Sequence, residues 1–159
     1  MEDLEELILW QNNIKNEEMK ILLGNLKNCH NLKTLDLSDN YLKDDDIPLL
    51  IEVLKVNKNI KNLRIGDCNV SEEGSNELIN FIENSDLKLE VFTFNYNEVE
   101  NIHDFVEKLK NKGLKLLEIK GIVDIDQFDE IKEIIPECDI LFESMIEDEE
   151  EEEEDQNEV

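Results

Sequence analysis

Apolar residues recur along this chain in two alternating patterns that return together about every 28 positions. Leu4, Leu7, Leu9, Asn12 and Ile14 come back as Leu32, Leu35, Leu37, Asn40 and Leu42, then as Ile60, Leu63, Ile65, Cys68 and Val70. A fourth copy, Leu89, Phe92, Phe94, Asn97 and Val99, follows after 89 − 60 = 29 positions. A shortened fifth, Leu114, Leu117, Ile119 and Ile122, follows after 114 − 89 = 25. The alternation inside each copy predicts a short strand. Between the copies lie Met19, Leu22, Leu23 and Leu26, then Ile47, Leu50, Ile51 and Leu54, then Ser75, Leu78, Ile79 and Ile82. Their spacing of i, i+3, i+4, i+7 marks one face of a helix. Ile102, Phe105, Val106 and Leu109 continue it, as do Phe128, Ile131 and Ile135.

The strand pattern, L-x-x-L-x-L-x-x-N/C-x-L, is the leucine-rich-repeat signature, whose period is about 20–29 residues. The expected fold is therefore α/β: a leucine-rich-repeat solenoid of the ribonuclease-inhibitor-like, horseshoe type. Parallel strands would line its concave side and helices its convex side, each repeat touching its neighbours. The repeat domain spans 1–146, with about five repeats starting near 4, 32, 60, 89 and 114. A C-terminal cap covers 123–146, where Ile140, Leu141, Phe142, Met145 and Ile146 fold over the last repeat. No polar cap precedes Leu4, so the apolar edge of the first repeat would face water, which suggests missing upstream repeats, a partner covering that edge, or a natural truncation.

Residues between the inward leucines face the concave side, and the residue before each turn Asn or Cys lies on its rim. The candidate partner-binding residues on that surface are Trp10, Gln11, Asp36, Asp39, Arg64, Asp67, Asn95 and Tyr96. Trp10 and Tyr96 stand out because rigidly held aromatics are common hot spots. For Trp10 a second reading is a cover for the exposed edge.

Charge sharpens this. The chain carries 42 Asp+Glu against 16 Lys+Arg, a formal net charge of −26. Nucleic acid and anionic membrane surfaces attract Lys and Arg, so both are excluded as direct partners. Residues 147–159 hold ten acids, no base and one apolar side chain, and are expected to be a disordered acidic tail. Met1-Glu2-Asp3-Leu4 lacks a basic or apolar leader, and no stretch approaches a membrane span, so a cytosolic or nuclear protein is expected. Cys29, Cys68 and Cys138 match no metal or redox spacing and read as small buried hydrophobes. His30 and His103 read as surface residues. Asp44-Asp45-Asp46 and the Asp124, Asp126 pair read as helix caps. No nucleophile motif or Gly-rich phosphate loop is present. No catalytic residue, metal site or cofactor is assigned, and an enzyme in the strict sense is not expected.

The succession Leu32-Lys33-Thr34-Leu35-Asp36-Leu37-Ser38-Asp39-Asn40, then Leu63-Arg64-Ile65-Gly66-Asp67-Cys68, then Asn95-Tyr96-Asn97-Glu98-Val99, ends in the Glu-rich tail. Over nearly the whole chain it resembles the carboxyl-terminal half of the Ran GTPase-activating proteins, long-repeat horseshoes that end in an acidic segment. The resemblance implies binding to a small GTPase of the Ran type in nucleocytoplasmic transport, in the cytoplasm or at the nuclear periphery. It implies activation without an arginine finger, by orienting the GTPase's own glutamine with help from an asparagine in an early repeat. Asp39 and Asp67 would face the basic flank of the GTPase. The early repeat has no counterpart here, and Gln11, at the equivalent rim position of the first repeat, is not given the asparagine's role. The alternative is an acidic leucine-rich module that binds histones or other basic proteins through its tail; its typically shorter repeats argue against it.

Overall fold

The fold is taken from a computed structural model, which describes residues 3–123 and 125–142. Strands β1 (Glu6–Ile8), β2 (Thr34–Asp36), β3 (Asn62–Arg64), β4 (Val91–Thr93), β5 (Leu116–Glu118) and β6 (Asp139–Leu141) form one sheet in sequence order. Every neighbouring pair is parallel. A helix lies between each strand and the next: α1 (Asn16–Leu26), α2 (Ile47–Val56), α3 (Glu72–Asn84), α4 (Ile102–Leu109) and α5 (Phe128–Ile134). The architecture is α/β, and no helix among the described residues is long and apolar enough to cross a membrane. The proposed acidic tail, Met145, Ile146 and Asp124 lie outside the described residues.

Register follows the sequence period. Leu7 pairs with Leu35, Leu35 with Leu63, Leu63 with Phe92 and Phe92 with Leu117. These central side chains turn toward the helices. Leu35, Leu63, Phe92 and Leu117 are fully buried in one core with Leu23, Leu50, Leu54, Ile79 and Val106. Phe92, Phe94 and Phe105 sit in mutual contact there, with ring centroids 5.3–6.2 Å apart. Removing that much apolar surface from water is the main favourable term for the fold.

Beyond β2 and β4 the chain turns on a buried asparagine. Asn40 donates to the carbonyls of Leu9 (2.8 Å) and Leu37 (2.9 Å), while its oxygen accepts the N–H groups of Asn12 (3.2 Å) and Ile14 (2.9 Å). Asn97 repeats this on Ile65, Phe94, Cys68 and Val70. Cys68 fills the same slot: its Sγ donates toward Leu37 O at 3.3 Å and accepts from the Asn40 and Leu42 N–H groups. Burial pushes its thiol up to about 12. Cys68 should therefore resist alkylation at pH 8–9 until the chain unfolds, which mass spectrometry of labelled protein would reveal. Cys68→Asn should fold with a melting temperature at or above the parent's, since asparagine occupies two equivalent slots.

Immediately before the strands runs a row of charged residues, Glu5, Lys33, Lys61, Glu90 and Lys115. Glu5 meets Lys33 at 2.8 Å, and Glu90 lies between Lys61 and Lys115. Hydrogen bonds from Lys115 and Lys61 pull the Glu90 carboxyl down to about 2. An unfolded glutamate titrates near 4.3, so this contribution is present above that pH and is lost as pH falls toward 2. Denaturation midpoints measured from pH 5 to 2 should fall less steeply for Glu90→Gln than for the parent.

Three expectations change. Residues 139–142 do not simply fold over the last unit: Asp139–Leu141 adds a sixth parallel strand to β5. Leu141 is exposed, and Phe142 stacks on Phe128 at 4.7 Å. The acidic triplet forms a short 3-10 turn, Asp44–Asp46, ahead of α2; Asp46 does hold the N-cap position of α2, but without a side-chain capping bond to it. Asp46 is buried and accepts the Lys43 N–H at 3.3 Å, while Asp44 crosses to the next unit to receive the Ser71 N–H (2.9 Å) and hydroxyl (2.6 Å). Asp126 lies in a second 3-10 turn, Ile125–Gln127, and Gln127 occupies the cap position of α5 without a side-chain capping bond.

Candidate partner-binding face

Strand alternation sends Ile8, Asp36, Arg64, Thr93 and Glu118 to the face away from the helices, in register across five strands. The backbone ladder continues past the strands: Gln11, Asp39, Asp67 and Tyr96 donate their N–H groups to Ser38, Gly66, Asn95 and Lys120 at 2.7–3.0 Å. A second row, Trp10, Ser38, Gly66, Asn95 and Lys120, therefore stands above the first. Its middle members are the smallest. Gly66 leaves space that even a Cβ would narrow, at 3.3 Å from Asn95 and Thr93 side-chain atoms. Large residues flanking small ones produce a hollow of about 340 Å³ between Trp10 and Tyr96.

On its floor lies Arg64, the sole arginine of the chain. Its Nη1 donates to Thr93 Oγ1 and Glu118 Oε1, both at 3.1 Å. Asn95 is committed as well, its oxygen accepting the Lys120 N–H at 2.7 Å and its Nδ2 reaching Glu118 at 3.5 Å. Asp36 accepts the Ser38 N–H at 3.0 Å. The floor is thus largely satisfied internally and rigid.

The rim differs. Gln11, Asp39, Asp67 and Tyr96 all have positive φ, between 51° and 57°. Asp and Asn tolerate this left-handed region; bulkier residues occupy it at a cost. The turn closes here so that the N–H can complete the ladder, and each side chain is thrown outward. Among the described residues no hydrogen bond or ion pair engages the carboxylates of Asp39 and Asp67. Tyr96 is 51% exposed and Trp10 58%. The Tyr96 ring nevertheless has a fixed seat, because it lies against Gly121 (φ 69°), where a Cβ would collide with it.

Of the eight sequence candidates, seven line this hollow: Trp10, Asp36, Asp39, Arg64, Asp67, Asn95 and Tyr96. Gln11 does not; it lines a neighbouring recess with Asn13, Asn40, Tyr41 and Asn69, which shares Asp39 and Asp67 with the hollow. Ser38, Gly66, Thr93 and Glu118 complete the lining and were not among the candidates. The signal for them was the row read across units, in which the drop in side-chain size at Ser38 and Gly66 marks where a cavity opens.

Four carboxylates, one tied-down guanidinium and two aromatic walls suit the capture of a basic protein surface with aromatic anchoring. No general base is paired with a nucleophile here, and among the described residues no group of three or more His, Cys, Asp or Glu side chains could hold a metal ion. No family model matches the chain, and none of the curated proteins compared with it is significantly similar.

Proposed function

We propose that the chain is a leucine-rich-repeat horseshoe of the ribonuclease-inhibitor type that binds a small GTPase of the Ran kind in the cytoplasm, as an activator-like module of nucleocytoplasmic transport. The observation that carries the binding surface is the pair of unengaged rim carboxylates, Asp39 and Asp67, held between two exposed aromatics. The GTPase identity rests on the sequence resemblance. A partner's basic flank would meet the two carboxylates, and Trp10 and Tyr96 would supply the apolar contact that slows dissociation.

Activation in this reading comes from orienting the GTPase's own groups. Arg64 is held by Glu118 and Thr93 on the floor, so the chain's one arginine is not presented as a finger, in keeping with that mechanism. The chain itself is a binding module and carries no chemistry of its own.

The test is single-turnover GTP hydrolysis by Ran with and without the full chain, alongside a binding titration. Binding with acceleration supports the whole reading. Binding without acceleration removes the activator part, and absence of binding removes the GTPase. The alternative, capture of histones or other basic proteins through the acidic segment 147–159, predicts that deleting that segment abolishes histone binding. GTPase binding at the rim would survive the same deletion.

A further inference from the structure

We propose that the hollow on the open face of the sheet seats one arginine side chain of the partner, which enters between Asp36 and the rim pair Asp39 and Asp67 and lies against Tyr96. This rests on the reading that the face binds a basic protein, and it names the group that fills the centre of that face.

Charge on the floor is unevenly neutralised. Asp36 and Arg64 are register neighbours on β2 and β3, yet Arg64 turns toward β4 and β5, where it donates to Thr93 and Glu118. Its charge is spent on Glu118. Asp36 keeps one bond, from the Ser38 N–H at 3.0 Å, and among the described residues no cation pairs with Asp36, Asp39 or Asp67. Three carboxylates lining one hollow therefore stand uncompensated. Asp36 and Asp39 are half-buried, so a cation brought between them is held more strongly than it would be at an open surface.

Shape selects the cation. Asp36 belongs to the strand row and Asp39 to the rim, and between these rows the lining shrinks to Ser38 and Gly66. Acceptors thus stand on two sides of a gap. An arginine fork, with five N–H donors in one plane, reaches both sides at once, whereas a lysine ammonium is a compact point charge. The Tyr96 ring borders the same hollow, seated against Gly121, and a guanidinium plane stacks on such a face.

The arginine comes from a different protein. A second copy has only Arg64 to offer, and that residue is tied into the floor. Residues 147–159 contain no base. Free arginine carries its own carboxylate, which the three uncompensated ones repel.

The probe is the blocked tripeptide acetyl-Gly-Arg-Gly-amide, titrated into the full chain beside its lysine and citrulline counterparts. Trp10 emission and the amide NMR signals of Asp36, Ser38, Asp39 and Asp67 are the readouts. The arginine peptide should saturate at one per chain and bind about tenfold or more tighter than the lysine peptide, and the uncharged citrulline peptide should not saturate. Asp36→Asn should weaken the arginine peptide about tenfold, because one hydrogen bond to a charged group is lost. Its melting temperature should stay within a degree or two, since the amide oxygen still accepts the Ser38 N–H. Equal affinity for lysine, shifts confined to Asp39 and Asp67, or an Asp36→Asn chain that binds the arginine peptide like the parent each overturn the proposal. No GTPase enters these titrations. An arginine peptide that seats while Ran fails to bind removes the GTPase and leaves the seat, whereas Ran binding without a seated peptide removes the seat and leaves the GTPase.

Discussion

Replacing Asp39 and Asp67 together by asparagine should weaken binding of the full chain to GTP-loaded Ran by about 100-fold or more. Coupling energies for close charge pairs across an interface start near 1.5 kcal/mol each, and two such losses correspond to roughly that factor. Asparagine is the informative substitution because it keeps the left-handed backbone that both positions require, at φ 56° and 51°. Neither carboxylate has a partner among the described residues, so the melting temperature should stay within a degree or two. The salt dependence of association should flatten as well, since rim charges act chiefly on encounter. Tyr96→Ala should cost affinity through faster dissociation instead, with little change in salt dependence. A double variant that binds Ran like the parent would remove the rim as the contact surface. If that variant still bound histones, and deletion of residues 147–159 abolished it, the acidic segment would become the functional element.

The strand and helix positions were legible because both elements expose a periodic signal that burial imposes. Leu35, Leu63, Phe92 and Leu117 alternate with polar residues since one face of the sheet is covered and the other is open. The i, i+3, i+4, i+7 rows appear for the same reason in α2 to α4. What could not be read was set by contacts between units. The role of Asp44 depends on Ser71 lying 27 residues on, and nothing local distinguishes a cap from a cross-unit tie. β6 was hidden because Glu137 stands three residues before its inward residue Ile140, where the other units have Leu4, Leu32, Ile60, Leu89 and Leu114, and the repeat pattern breaks there. Gln11 borders only the neighbouring recess, whereas Asp39 and Asp67 border both, a division that depends on how the turns of successive units stack and has no local signature.

Asn40→Ala should lower folding stability by about 3 kcal/mol, whereas Asn12→Ala should change it by about 0.5 kcal/mol or less, as a buried polar group left unpaired costs about 1–3 kcal/mol and an exposed one little. The two residues occupy equivalent positions, 28 apart, so propensity and turn chemistry are the same and only the neighbouring unit differs. Asn40 is 2% exposed. Its loss strands the N–H groups of Asn12 and Ile14 and the carbonyl of Leu9, and leaves the Leu37 carbonyl only the weak Cys68 thiol donor. Asn12 is exposed, with one bond to its own turn. Urea denaturation of the three proteins under one condition gives both differences. Equal losses would mean that the asparagines act through local turn formation, and the reading of β1 as an uncovered edge would fall with that result. A large loss at Asn40 alone would show that each asparagine is stabilised by the unit before it. In that case Asn12→Ala should become costly, by a similar amount, in a chain carrying an extra copy of residues 32–59 fused directly ahead of Leu4.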